Sequence, residues 1–103
     1  MESDEHKRLV EVFRALSNPN RFTIFERIRE LSERSPDRCA MDEECCVSAI
    51  GGALDMAPST LSEHLKELKR AGLIVMSKRG RLVHCRVAPK ALADLESFAR
   101  GRP

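Results

Sequence analysis

The sequence predicts a mainly α domain that carries a single β-hairpin near its C-terminus. Apolar residues recur at three- and four-residue spacing in four stretches before residue 71 and in one after residue 88. Between these stretches, residues 73–87 hold two β-prone runs separated by a glycine-centred basic turn. A chain of 103 residues can bury one modest hydrophobic core. We therefore predict a single domain, 1–103, with four helices, a hairpin and a fifth helix.

The first two predicted helices, about 4–17 and 19–33, meet at Ser17-Asn18-Pro19. Asn18 is suited to cap the second helix, and Pro19 in the first helical position gives up no hydrogen bond that the helix needs. Each helix has one predicted apolar face. The residues of these faces are Leu9, Val12, Phe13 and Leu16, then Phe22, Phe25, Ile28 and Leu31. A polar, acidic loop over 35–44 follows.

A short third helix is predicted over about 45–54 and a fourth from Pro58, joined by three residues. Gly51 and Gly52 each weaken the third helix by about 1 kcal/mol relative to alanine, so packing must hold it in place. The fourth helix ends at Gly72, where a glycine adopts the left-handed conformation that closes a helix. The expected core residues of the two helices are Val47, Ile50, Leu54, Leu61, Leu65 and Leu68.

The predicted hairpin turns at Lys78-Arg79-Gly80-Arg81 and is followed by a last helix from Pro89. Val83, Cys85 and Val87 alternate along one face of the second strand. A buried cysteine behaves as a small apolar side chain, so we expect a structural role for Cys85. In the last helix, Leu92, Leu95 and Phe98 lie in line.

Charge is distributed unevenly along the chain. Residues 58–90 carry eight basic and two acidic side chains, whereas residues 36–57 carry one basic and five acidic ones. This pattern is typical of a protein with a polyanionic partner, and two ordinary solvated surfaces are the alternative. The sequence has no apolar run of membrane-spanning length and no N-terminal signal peptide, so we expect a cytoplasmic protein that does not enter the membrane.

The third and fourth helices, the three-residue turn and the hairpin together predict a winged helix-turn-helix. The fourth helix is polar and basic on its exposed side and suits the major groove of double-stranded DNA. Ser59, Thr60 and Ser62 lie at its N-terminus, where the helix dipole favours a phosphate. The basic hairpin tip suits a flanking phosphate strand or minor groove. Helix capping by the hydroxyls and simple solubility of the tip are the alternatives.

Three segments resemble the ArsR/SmtB family of bacterial transcriptional repressors, and together they extend over nearly the whole chain. They are FRALSNPNRFTI at 13–24, STLSEHLKELKRAGLI at 59–74 and KRGRLVHCRV at 78–87. The resemblance implies a homodimer built from about 4–17 and 89–100, whose two recognition helices contact a palindromic operator. It also implies repression that is relieved when a metal, metalloid or other inducer binds.

The resemblance also assigns candidate DNA contacts by position. Ser59, Thr60, Ser62 and His64 match the recognition helix of the family, and Arg79 and Arg81 match its wing. Packing against the hairpin is an alternative for His64. With the other polar and basic residues of the exposed helix surface and the hairpin turn, the full candidate set is Ser59, Thr60, Ser62, Glu63, His64, Lys66, Lys69, Lys78, Arg79 and Arg81.

Three cysteines, Cys39, Cys45 and Cys46, lie within eight residues. Metal-responsive members of the family often carry Cys-Val-Cys on the third helix, whereas this chain has Cys46 and Ser48 at those positions. Three thiolates with no nearby histidine favour a trigonal sulfur site, which suits arsenite or antimonite as the inducer. The alternatives are thiol redox or reactive-sulfur sensing and no effector role.

A protein-interaction module and an enzyme are the two other classes of protein that the sequence has to be weighed against. A protein-interaction module of the same fold would bind DNA without sequence specificity. An enzyme is not expected, because the sequence lacks a phosphate-binding glycine loop, a paired-histidine metal motif and a nucleophile motif. His6, near the N-terminus, is expected to be exposed.

Overall fold

The computed structural model describes residues 3–34 and 46–101, and it has the predicted mainly α architecture with one antiparallel hairpin. Cys39 and Cys45 lie outside the described residues. Within these ranges no helix has both the length and the apolar character needed to cross a bilayer. The elements are α1 (Asp4–Leu16), α2 (Pro19–Arg34), α3 (Val47–Ala53), α4 (Pro58–Arg70), β1 (Ile74–Arg79), β2 (Leu82–Val87) and α5 (Pro89–Arg100).

Local capping signals fix the ends of the helices. The Ser3 hydroxyl accepts a hydrogen bond from the His6 amide at 3.1 Å and begins α1. Asn18 Oδ1 accepts one from the Arg21 amide at 3.0 Å and caps α2, as predicted. Gly72, with φ of 78°, follows α4 in the left-handed conformation.

The central element is α2, which contacts α1, α3, α4 and β2. Ile24 and Ile28 are completely buried along it. The Ser32 hydroxyl donates to the Ile28 carbonyl at 2.8 Å and accepts from the Val87 amide at 3.1 Å. This one side chain therefore joins the end of α2 to the last residue of β2 and holds the hairpin against the helices.

Three predicted apolar faces are wrong in part. On α1, Phe13 is 45% exposed. On α2, Phe22 is 44% exposed, and Ile24 takes the buried position instead. On α5, Phe98 is 60% exposed and the residue buried in the core is Ala91. A helix with apolar residues on several sides buries only the side that meets its neighbours, and helical periodicity does not say which side that is.

An aromatic pair lies on the surface between α1 and α5. Phe13 and Phe98 are both exposed and pack edge to face, with ring centroids 5.5 Å apart. Val10 and Leu92 are exposed on the same two helices. The Phe13–Phe98 pair therefore presents an apolar surface to solvent between the two helices, which we call the α1–α5 face.

A close contact between α3 and α4 explains one of the two helical glycines. A Cβ atom on Gly51 would lie 2.9 Å from Leu61 Cδ2, which is closer than side chains normally approach. A Cβ atom on Gly52 would have nothing within 4 Å. Gly51 therefore allows α3 to pack against α4, and Asp55, at φ of 51°, turns the chain between them.

The hairpin turn is shorter than predicted. Lys78 and Arg79 belong to β1, and pairing continues from Ile74 opposite Val87 to Arg79 opposite Leu82. Only Gly80 and Arg81 form the turn, with Gly80 at φ of 60°. Such a two-residue turn with a glycine at positive φ suits the twist of paired strands.

Candidate nucleic-acid interface

The exposed side of α4 displays the polar residues that the sequence assigned to DNA. Leu61, Leu65 and Leu68 are buried and hold the helix in the core. The remaining surface is exposed and carries hydroxyl, carboxylate and ammonium groups. Its residues are Ser59, Thr60, Ser62, Glu63, Lys66 and Lys69.

The serine-rich start of α4 is not a capping device. The residue in the N-cap position is Ala57, which forms no side-chain capping bond, and Pro58 occupies the first helical position. Ser59 and Thr60 therefore lie inside the first turn, with their side chains exposed. The positive end of the helix dipole makes this turn favourable for a phosphate group.

Two adjoining grooves connect α4 with the hairpin. One has a volume of about 480 Å³ and is lined by Ser62 of α4 and Arg81 of the turn, among others. The second, of about 340 Å³, is lined by Ser62, Lys66 and Lys69 beside Val83 of β2. The fold thus brings one edge of the α4 surface next to the hairpin.

The hairpin tip adds three exposed cations to this surface, Lys78, Arg79 and Arg81. Within residues 3–34 and 46–101, none of these three side chains forms an ion pair. Their charges are therefore available to an anionic partner, and we call Lys78–Arg81 the wing tip.

Arg70, at the end of the same helix, differs from the candidate contacts. Its guanidinium lies 2.8 Å from a carboxylate oxygen of Glu67 and 3.7 Å from one of Glu11. The hydrogen bond from Arg70 lowers the pKa of Glu67 and raises the pKa of Arg70 itself. Arg70 therefore links α4 to α1 rather than extending the basic surface.

His64 lies at the border of the exposed side of α4. It is half-buried, and its Nδ1 is a buried atom with no hydrogen-bond partner in the described part of the chain. Leaving such a nitrogen unsatisfied typically costs about 1–3 kcal/mol. Packing of the ring against its neighbours fits this placement, and contact with DNA stays a prediction.

Of the cysteine cluster, the structure describes Cys46 alone. Cys46 is 5% exposed, precedes α3, and has its Sγ 3.4 Å from the Ser48 hydroxyl oxygen. The expectation that no histidine lies nearby is wrong, because His84 of β2 pairs with Cys46 through an isolated antiparallel bridge. No sequence pattern indicates this contact, since strand alternation predicts His84 on the outward side of the hairpin.

Cys85 is buried as expected, at 1% exposure. Burial raises the pKa of its thiol to about 11, and the neighbouring Cys46 adds to the shift. At neutral pH the thiol is therefore protonated and unreactive, as a structural cysteine should be. In the described ranges, no three His, Cys, Asp or Glu side chains converge on a possible metal position.

Comparison with known proteins identifies the family. Residues 41–75 match the family model for bacterial regulatory proteins of the arsR family. The transcriptional regulator YbzH of Bacillus subtilis is 34% identical over 99 residues, which span 88% of this chain and 94% of that protein. The chain belongs to the ArsR family.

Two further relatives extend the comparison. This ArsR-family regulator is 30% identical to the arsenical resistance operon repressor of Escherichia coli over 80 residues, which span 78% of the chain and 59% of that repressor. The solved homodimeric winged helix-turn-helix domain of a possible ArsR-family regulator from Mycobacterium bovis superposes with a TM-score of 0.66. That match has 26% identity and covers 97% of this chain and 85% of that one.

Membership in the ArsR family confirms the predicted winged helix-turn-helix. In this fold α3 and α4 form the helix-turn-helix, α4 is the recognition helix, and β1 and β2 form the wing. The family is one of DNA-binding transcriptional regulators rather than of enzymes.

Proposed function

We propose that this regulator is a homodimeric repressor whose α4 helices enter successive major grooves of a palindromic operator. The observation that carries the proposal is the exposed polar side of α4, which lies beside a basic wing tip that forms no ion pair with any described residue. Ser59, Thr60 and Ser62 are short enough for close approach to phosphates and base edges, while longer cations reach the flanking backbone. Because the proposed target is DNA, we expect the protein to act in the cytoplasm.

The remaining candidate contacts divide by the length of the side chain. Lys66 and Lys69 on α4, and the three cations of the wing tip, reach phosphate oxygens and set affinity and its dependence on salt. Glu63 and His64 lie beside the hydroxyl-bearing turn, where a carboxylate or a ring nitrogen meets base edges.

The α1–α5 face supplies the dimer interface in this proposal. Exposed apolar residues on two adjacent helices, headed by the Phe13–Phe98 pair, are the kind of patch that a second copy covers. The related M. bovis domain is described as homodimeric. Two-fold pairing of recognition helices requires an operator with half-sites about one helical turn apart.

Arsenite or antimonite is the inducer that we propose, bound by Cys39, Cys45 and Cys46. The E. coli relative is named as an arsenical resistance repressor, and three thiolates suit a trigonal metalloid. Cys46 leads directly into α3, which packs against α4 at Gly51. Ligation that shifts the start of α3 would thereby move the recognition helix, and a coupling of about 1–3 kcal/mol is sufficient for induction.

One binding experiment tests these steps together. Fluorescence anisotropy with the DNA upstream of the protein's own gene, compared with a scrambled duplex, should show tight binding to the first that weakens steeply with salt. Arsenite should release the operator from the wild-type chain but not from a Cys39→Ala/Cys45→Ala/Cys46→Ala chain, which should bind DNA normally. Equal affinity for both duplexes would contradict the repressor and favour the interaction module.

Further arms of the same experiment separate the inducer hypotheses. Release by peroxide or persulfide, with no response to arsenite, would favour the thiol redox or reactive-sulfur alternative. If the triple alanine chain still dissociates with arsenite, the inducer site lies elsewhere.

A further inference from the structure

A buried thiol and a buried imidazole meet where the start of α3 touches the wing. Cys46 and His84 are partners in an antiparallel bridge on the edge of β2 that faces away from β1, and they are 5% and 6% exposed. Residues directly opposite each other in such a bridge project to the same face, with Cβ atoms about 4.5–5.5 Å apart. A sulfur donor and a nitrogen donor are therefore neighbours in one buried space.

The imidazole has an unused donor or acceptor atom. Nδ1 of His84 is buried, and no described residue offers it a hydrogen bond. Buried polar atoms in folded proteins are nearly always paired, so an unpaired one marks a place where an ion or ligand can complete the contact. Cys85, the next residue of β2, alternates to the other face of the strand and belongs to the hydrophobic core, and it forms no three-ligand group with the pair among the described residues.

We propose that Cys46 and His84 form a two-ligand site for a soft monovalent cation of the Cu⁺ class. Thiolate sulfur selects soft ions such as Cu⁺, and imidazole nitrogen also suits copper. Four-coordinate Zn²⁺ would need further protein donors, and no third His, Cys, Asp or Glu among the described residues joins the pair. A cation that accepts only two ligands needs no third donor from the protein.

Binding at this site involves no change of oxidation state. The cation displaces the thiol proton of Cys46, which leaves to solvent, and it accepts the lone pair of an unprotonated nitrogen of His84. The resulting S–Cu–N bridge ties the residue before α3 to the strand that follows the wing tip. The site goes beyond the arsenite proposal and shares only Cys46 with it.

The test uses a Cys39→Ser/Cys45→Ser chain, which keeps Cys46, His84 and Cys85. Anaerobic titration with Cu⁺ against a chromogenic Cu⁺ chelator should give one ion per chain. His84→Gln in this background should weaken binding at least tenfold, as loss of a metal-orienting group generally does. His6→Gln is the matched control and should leave Cu⁺ affinity unchanged, because His6 is an exposed imidazole on α1.

Two measurements keep the outcome decisive. The X-ray absorption spectrum of the copper-loaded double-serine chain should show one sulfur and one nitrogen neighbour, a result that needs no further substitution. A sulfur-only spectrum, or undiminished Cu⁺ binding by a His84→Gln chain that melts normally, would overturn the site. Because this background lacks two of the three thiols proposed for arsenite, failure of the arsenite proposal does not affect the result.

Discussion

At the residue scale, the two glycines of α3 have opposite consequences although they are adjacent. We expect Gly52→Ala to stabilise the fold by about 0.5–1 kcal/mol, because alanine is the better helix former and the added methyl group meets nothing. Gly51→Ala should be less stable than Gly52→Ala by about 1–3 kcal/mol, since its methyl group would press on the buried Leu61. Urea unfolding of the two variants checks the order, and equal stability would contradict the close α3–α4 contact.

Cys85 makes stability depend on pH in the alkaline range. Its pKa is raised in the folded chain from an ordinary value of 9.0 to about 11. Folding therefore favours the protonated thiol, and this contribution is fully present below pH 9 and is lost as the pH rises through 11. The free energy of unfolding should fall by roughly 2–3 kcal/mol over that window.

Cys85→Ala provides the comparison for this pH effect. The variant is less stable at pH 7, because it loses a buried side chain, but it should lose less stability than the wild type between pH 9 and 11. All other ionisable groups are common to both chains, so the difference between the two chains isolates the Cys85 thiol. Denaturant unfolding at several pH values measures the free energy of unfolding of both chains. If the two plots of this free energy against pH are parallel, Cys85 does not cause the loss of stability at alkaline pH.

At the element scale, the boundaries were predictable because their signals are local. Asn18, Pro58 and Gly72 each act within a turn of their own position, so sequence alone places the ends of α2 and α4 closely. The exposure of Phe22 and the surroundings of His84 depend instead on which distant elements pack nearby. His84 lies against Cys46, the residue before α3, which is 38 positions earlier in the chain.

The candidate site also combines features that follow from local sequence with contacts between distant elements. The exposed polar side of α4 and the wing tip were predictable, because a helix that buries three leucines must expose the rest and a tight turn is exposed by construction. The pairing of Arg70 with Glu11 was not, because it joins two helices whose relative position the sequence leaves open. The apparent basic surface is therefore smaller than a count of charges suggests.

The wing tip should contribute to DNA affinity through charge rather than sequence. We expect Arg79→Ala/Arg81→Ala to weaken operator and non-specific binding alike, and to reduce the slope of log affinity against log salt by about 2. Lys90→Ala is the matched control, because Lys90 is an exposed cation at the start of α5. Fluorescence anisotropy over a range of salt concentrations measures the slope, and an unchanged slope in the double variant would place the wing away from DNA.

At the scale of the whole molecule, the proposed dimer depends on the α1–α5 face. Phe98 is its most exposed large apolar side chain among the described residues, at 60%. We expect Phe98→Ser to weaken the dimer by about 2 kcal/mol, roughly a 30-fold rise in dissociation constant, as loss of an aromatic anchor at an interface does. Operator affinity should fall with it, because both recognition helices are needed on one duplex.

Val75→Ser is the control for this prediction, because Val75 is an exposed apolar residue, at 39%, on the hairpin. Sedimentation velocity at several protein concentrations should show dissociation for Phe98→Ser and an unchanged dimer for Val75→Ser. A dimer lost with Val75→Ser and kept with Phe98→Ser would place the interface on the hairpin instead.

The backbone at Cys46 affects the choice of substitution for any test of its thiol. Cys46 occupies the N-cap position of α3 in an extended conformation, at φ of −78° and ψ of 153°, and forms no side-chain capping bond. Serine, the usual isosteric replacement, is among the best N-cap residues and would add about 1 kcal/mol to the stability of this short helix. Cys46→Ser would thus stiffen α3 while deleting the sulfur, so a blunted response to inducer would have two causes. Alanine removes the sulfur without supplying an acceptor for the first turn, and Cys46→Ala is the variant that isolates the thiol.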